Sequence, residues 1–372
     1  YETICLIFLM PIAIAGAIMA IPALVSFYVA WVIAMLLRPF IVVGLGCCLW
    51  NAPSTLLKLK LWAQGVLYMV LCKDKGYKKP ADPAQFAEAF KKKSEKKTII
   101  FVRHGESCWN DTFNAGERKK AEFIKGFIPG LIKSFSYEMY LLLSGQVDSW
   151  FYDSPLSHYG IEQIDKLANF LSKPGTSAEE THYLNLLNNT KDSPMSSVLV
   201  SSNLRRALST VCIGFRSRLA ENPEERVVVH PSLQEISRNP DTLSITPPHT
   251  PVTASWIEKE LYPHIQPILS SRVDMSYHTG NKPLNTNGLK RMNAFCDFAF
   301  SLQESAVICG GHSLWFRSFF QCFLPRSTTH TAAKKKMVNG GCVAFELRRT
   351  NVDGKAVYDI DEKTIRVIYG GF

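Results

Sequence analysis

Arg103-His104-Gly105-Glu106 follows directly on the apolar run Thr98-Ile99-Ile100-Phe101-Val102. A strand that ends in such a turn presents its histidine at a sheet edge, and a neutral imidazole nitrogen there is a competent nucleophile toward phosphorus. Four later pieces carry residue types suited to receiving a phosphoryl group: Asp153 to Gln163, Ser201 to Thr210, Leu233-Gln234-Glu235, and Cys309 to Arg317. Taken singly, each has a plainer explanation. His104 or His312 alone reads as a satisfied polar residue, Arg206 as a helix-surface cation, and Glu235 as an exposed carboxylate. Their joint order along the chain favours a site.

The elements needed to position these residues are legible. Short β-branched runs at Thr98–Val102, Val198–Ser201, Val227–Val229 and Ala306–Cys309 alternate with helical stretches at Gly160–Ser172, Asn203–Ala220 and Asn287–Gln303. This alternation predicts an α/β fold, a sandwich built on a largely parallel sheet. Cys342–Arg349 and Lys363–Tyr369 flank the turn signal Asn351-Val352-Asp353-Gly354 and predict an antiparallel pair. Ligands of open α/β sheets bind beyond the carboxyl ends of the strands, and each candidate motif sits at such an end. Where a helix opens there, as after Asn203, its free N–H groups favour an anion.

On these pieces the chain resembles the histidine phosphatase superfamily, with its phosphoglycerate mutase-like, three-layer α/β/α fold, in the branch where the acid precedes the second histidine. Arg103 to Asn110 is close to the family's leading motif, and Asp153 to Gln163 matches its second, whose Leu156 and Gly160 would serve as scaffold. The resemblance implies that His104 is the nucleophile and passes through a phosphohistidine. It implies that Arg103, Arg206 and His312 surround the equatorial oxygens, and that Glu235 protonates the leaving oxygen and then activates water. Asn110 would be a further phosphate or substrate contact. After Glu235, Ile236-Ser237-Arg238-Asn239-Pro240 departs from the run typical of the mutases, so phosphomonoester hydrolysis is expected over mutase activity. Ser313 replaces a usual glycine, whereas Arg317 keeps the family's arginine. Insertions are expected at 111–147 and 238–286; the first contains an amphipathic pattern from Phe123 to Leu143, and the second would cap the pocket.

Ahead of this domain, residues 1–72 read as a membrane region. No charged residue occurs from Thr3 to Leu37, well beyond the roughly 20 residues that cross a bilayer. A second apolar run covers Phe40 to Trp50, giving one or two spans, and Ser54 to Cys72 suits an interfacial helix or one packed on the folded domain. Residues 73–97 form a lysine-rich linker, in which Asp82-Pro83 opens a short helix. Residues 98–372 make the phosphatase-like domain. The net charge of +10 is concentrated in that linker, which predicts contact with anionic membrane lipids and a domain on the cytosolic or matrix side, with a mitochondrial membrane among the candidates. No nucleic-acid reading module accompanies the charge. Ten scattered cysteines without C-x-x-C or zinc spacing predict free thiols and no structural metal, and no cofactor is expected. A start at Tyr1 leaves an upstream targeting segment open. The sequence therefore points to a membrane-anchored phosphatase acting on a phosphorylated protein or a small phosphorylated metabolite. The alternative is a structural subunit of a membrane protein complex that retains the enzyme-like domain.

Overall fold

The computed structural model describes residues 51–116 and 118–372, together with positions 25–28, 30, 31, 35, 38, 45, 46 and 49. The expected spans Thr3–Leu37 and Phe40–Trp50 lie largely outside the described residues. Among those that are described, no helix is long and apolar enough to cross a membrane.

In chain order the main elements are α1 (Ala52–Leu71), α2 (Ala87–Lys92), β1 (Glu95–Arg103), α3 (Cys108–Phe113), α4 (Lys120–Leu143), α5 (His158–Leu171) and α6 (Ala178–Asn188). There follow β2 (Ser197–Ser201), α7 (Arg205–Gly214), α8 (Arg216–Glu221), β3 (Val227–Val229), α9 (Trp256–Leu261), α10 (Ile265–Ser271) and β4 (Val273–Asp274). The last are α11 (Gly288–Ser301), β5 (Ala306–Gly311), α12 (Ser313–Phe323), α13 (Thr331–Lys334), β6 (Cys342–Val352) and β7 (Lys355–Tyr369). Local chemistry sets many of the helix starts: Ser107, Ser157, Ser177 and Asn287 accept a backbone N–H as N-caps of α3, α5, α6 and α11, and Ser255 with Glu258 closes a capping box on α9. The single helix expected over Asn203–Ala220 is instead split at Phe215, after Gly214 brings the backbone close to Ile164 and Leu167 of α5.

The strands form one mixed sheet in the order β4-β3-β2-β5-β1-β6-β7. Pairings from β4 through to β1 are parallel, and that of β6 with β7 is antiparallel, as the sequence pattern predicts; β1 with β6, for which the pattern gives no direction, is antiparallel as well. Alternate residues of β1 enter opposite cores. Ile100 and Val102 join one apolar cluster with Leu199, Val229 and Ile308; Ile99 and Phe101 join the other with Val200, Val307 and Phe345. Helices thus cover both faces, the arrangement that a sheet of parallel strands buried on both sides requires. Phe101 stacks on Phe316 at 4.1 Å between ring centroids and meets Trp315, Phe319, Phe320 and Phe345 edge-on.

Two compact units divide the chain, one of residues up to Leu57 with Tyr140–Val147, the other of Lys58–Met139 with Asp148–Phe372. In the smaller unit Asn51 Nδ2 donates to the Leu143 carbonyl at 2.6 Å, and Ser54 Oγ to that of Gly145 at 2.7 Å. The larger unit begins well before the expected boundary at 98. The reason is burial upstream of β1: Leu61, Gly65 and Tyr68 of α1 turn inward, with Gly65 against Pro240 and the Tyr68 hydroxyl donating to the Lys282 carbonyl. Asp74, inside the expected linker, is fully buried and accepts from Lys282 Nζ at 2.7 Å and from Arg291 Nη2 at 2.7 and 2.8 Å.

Removing one member of such a cluster leaves buried charge without its counter-ion. Asp74→Ala is therefore expected to lower stability by about 3–5 kcal/mol in urea unfolding followed by tryptophan fluorescence. A loss below about 1 kcal/mol would mean that the cluster is not stably formed.

Candidate active site

β1 and β5 run in parallel register, with Arg103 beside Gly311. His104 and His312 therefore leave adjacent strand ends together, and their rings lie 5.0 Å apart. The His104 N–H donates to the Gly311 carbonyl at 3.1 Å. Close approach then requires glycine on both sides of the turn. A Cβ on Gly105 would fall 2.4 Å from the Gly160 carbonyl oxygen, and one on Gly160 would fall 2.0 Å from that of Glu106. The second motif acts as a frame: Gln163 Oε1 accepts the Glu106 N–H at 2.8 Å, and Ser157 donates its N–H to the Glu106 carbonyl at 2.9 Å.

The protonation of His104 follows from its partners. Nδ1 lies 2.5 Å from the Gly105 carbonyl, which can only accept, so Nδ1 carries the hydrogen and Nε2 keeps its lone pair. Arg206 Nε donates to Nε2 at 3.3 Å. Burial, then the charges of Arg206 and Arg103, pushes the His104 pKa well below the usual histidine value, while the Gly105 carbonyl opposes the shift. The imidazole is neutral at pH 7 and nucleophilic at Nε2. His312 is also buried and held neutral, with Nε2 2.8 Å from Ser202 Oγ and Nδ1 without a partner.

A cavity of about 160 Å³ opens in front of His104, lined by Arg103, Arg206, Asn110, Glu235, Asp241 and Lys336 among others. Five of the six residues expected from sequence, Arg103, His104, Asn110, Arg206 and Glu235, line it; His312 is not among the lining residues. Arg103 donates one guanidinium N–H to the Met337 carbonyl, and its Nε is buried with no partner. Burial lowers the Arg103 pKa to about 10, which still leaves it charged at pH 7. Glu235 is held by α12, accepting the N–H groups of Trp315 at 2.9 Å and Leu314 at 3.3 Å, and also that of Ile236 at 2.9 Å. Asn110, on α3, accepts from Asn114 Nδ2 at 2.7 Å. Asp153, in the left-handed region at φ 48°, accepts the Arg205 and Ile245 N–H groups at 3.0 Å each and so fixes the start of α7 beside Arg206.

Two charged lining residues, Asp241 and Lys336, lie outside the set expected from sequence. Asp241, in the segment expected to form the cap, accepts from Arg206 through its carbonyl at 2.6 Å and pairs with it through Oδ2 at 3.4 Å. Its Oδ1 is buried without a partner. Desolvation raises its pKa to about 6 against the pull of Arg206, with Glu235 adding to the rise, Lys282 opposing it and Asp153 adding slightly. Lys336 stands near Arg103, and burial followed by that charge lowers its pKa. No motif marks either residue; a carboxylate directly after Asn239-Pro240 and a lysine in Lys334-Lys335-Lys336 give no signal of their own.

No family model matches the chain, and no curated protein does. Among solved structures it is similar to a mycobacterial hydrolase (14% identity, TM-score 0.33, 72% of this chain and 97% of that one). It is also similar to a mycobacterial glucosyl-3-phosphoglycerate phosphatase complexed with VO3 (15%, TM-score 0.32, 71% and 97%). A third similar structure is a putative alpha-ribazole-5'-P phosphatase from Escherichia coli (13%, TM-score 0.30, 71% and 95%).

Ionised Asp241 occupies Arg206 and competes with an incoming anion. Because its pKa is raised, it holds its proton below about pH 6 and releases Arg206 there. Asp241→Asn is expected to tighten inorganic phosphate binding at pH 7.5 by about tenfold and to flatten its pH dependence between 5.5 and 7.5, as read by calorimetry. Unchanged affinity and an unchanged profile would rule out that competition.

Proposed function

We propose that this protein hydrolyses phosphomonoesters through a phosphohistidine on His104. The observation that carries the reading is a neutral His104 in the wall of a small cavity, its Nε2 free of hydrogen and held by Arg206 Nε, beside Arg103, whose buried Nε has no partner. An unpaired buried guanidinium N–H is costly, and a phosphoryl oxygen is a fitting acceptor for it.

In the proposed sequence, His104 Nε2 attacks phosphorus in line while Arg103 and Arg206 receive the equatorial oxygens and the leaving oxygen takes a proton from Glu235. Glu235 then removes a proton from water, which attacks the phosphohistidine, releases inorganic phosphate and restores neutral His104. His312, buried against His104 with an open Nδ1, would complete the set once the phosphoryl is bound. Substrates in this reading are a phosphorylated protein or a small phosphorylated metabolite. The uncharged run from Thr3 to Leu37 supports anchoring in a membrane, with the basic stretch after Cys72 on the cytosolic or matrix side.

Full-length protein is expected to hydrolyse p-nitrophenyl phosphate and to trap an acid-labile phosphoryl group on His104, both lost in His104→Ala. Absence of turnover and of a trapped phosphoryl group would overturn the reading and leave the domain a structural role. Glu235→Gln should lower kcat about 10²–10⁴-fold on an alkyl phosphate but much less for phosphorylation by p-nitrophenyl phosphate, whose leaving group needs no proton. Equal losses on both substrates would remove Glu235 from the general-acid role.

A further inference from the structure

The chemistry at His104 makes no use of the outward face of α4. Ile124, Ile128, Ile132 and Phe135 on this face are 60–63% exposed, and Met139 is exposed beside them. At about 100° per residue, these five side chains fall on one narrow stripe. Lys125 and Lys133 lie to one side of the stripe, and Lys119 and Lys120 open the helix. The opposite face holds the helix to the fold. Phe127 approaches Phe113 at 6.5 Å between centroids, Tyr137 approaches Trp256 at 4.6 Å, Ser134 is buried, and Glu138 pairs with Lys58 at 2.6 Å. Phe135 also approaches Phe151 at 5.1 Å between centroids, whereas Ile124, Ile128 and Ile132 stay exposed. α1 repeats the pattern: Leu61, Gly65 and Tyr68 face inward, while Leu59, Trp62 and Val70 are exposed, Trp62 by 70%.

We propose that the outward faces of α4 and α1 lie in the interfacial layer of an anionic lipid bilayer. The charge beside the apolar stripe selects this occupant. At the start of α4 the exposed lysines 119, 120 and 125 stand against one outward acid, Glu122, because Glu138 is tied inward to Lys58, while Lys133 lies over the Trp150 ring. Anionic headgroups complement such a flank, and an apolar polypeptide surface does not. An exposed tryptophan amid leucines and lysines on α1 is suited to the headgroup level. The chain itself leads there, since the uncharged run Thr3–Leu37 precedes α1. Lys125 and Lys133 sit mid-helix and Pro129 interrupts the hydrogen-bond ladder, so α4 is suited to lying along the surface. On its inner side Phe127 approaches Phe113, which lies 4.4 Å from Trp109 in the cavity wall. The docked helix thus borders the candidate site, although lipid contact does not depend on the phosphatase reading.

The test uses the full chain reconstituted in vesicles of phosphatidylcholine and phosphatidylglycerol. The photo-cross-linker p-benzoylphenylalanine replaces either Ile128, on the stripe, or Lys133, on the polar side. Phospholipid adducts at Ile128 are expected to exceed those at Lys133 at least fivefold, and to fall when phosphatidylglycerol is omitted. Equal lipid labelling at the two positions overturns the proposal. So does cross-linking of Ile128 to a second copy or to the N-terminal run, identified by mass spectrometry. Labelling at Ile128 that is indifferent to phosphatidylglycerol overturns the anionic preference. None of these readouts depends on catalytic activity.

Discussion

One buried carboxylate, Asp74, joins three parts of the molecule. It faces Lys282 and Arg291, two cations that would not tolerate the interior without it, and its backbone carbonyl accepts the Gly288 N–H at 2.8 Å where α11 begins. Those cations in turn bind main-chain oxygens around the proposed acid. Lys282 Nζ donates to the carbonyls of Glu235 at 2.6 Å and Ser237 at 2.7 Å, and Arg291 donates to those of Ser232 and Gln234. The loop carrying Glu235 has no regular ladder to hold it. It is instead pinned by side chains whose charge Asp74 makes tolerable.

The same economy of charge governs the cavity. Arg205, next to Arg206, is fully engaged: it pairs with Asp148 at 2.7 Å and donates to the Asp153 carbonyl. This fixes the first turn of α7 and leaves Arg206 to face His104. Around the cavity, Arg103, Arg206 and Lys336 meet only Glu235 and Asp241 among the lining acids. Glu235 is drawn toward the N–H groups of α12, and Asp241 is divided between pairing with Arg206 and retaining a proton. The imbalance favours an anion. It also keeps His104 neutral, because cations nearby and water excluded both disfavour imidazolium.

The insertion between Asn110 and Asp148 joins this centre to the outside. Its inner aromatic side chains reach the wall of the cavity through Phe113 and Trp109, and Ile124, Ile128 and Ile132 on its outer side are exposed. Sequence periodicity identifies a helix with an apolar face there, and α4 follows that pattern. Periodicity does not say which of two apolar faces is inward. Phe127 and Tyr137 turn to the domain, while Ile128 and Ile132 do not, because contacts with Phe113, Trp150 and Trp256 select the aromatic side.

By itself the sequence determined β1, β2, β3 and β5, the antiparallel closing pair, and the motifs at the strand ends. Arg103 and His104 are covalently bound to the end of a buried strand, and once β1 pairs with β5 in parallel, His312 must arrive beside them. Such features are local, or follow from alternation along a strand. The tertiary structure alone decided that Asp74 belongs to the fold rather than to a linker, and that Asp241 and Lys336 enter the cavity. It also buried His312 beside His104, with the two rings 5.0 Å apart. Those residues lie in segments without periodicity, and what gives them their roles is desolvation among charges far away in sequence. Desolvation is a property of the packed interior, and no spacing along the chain records it.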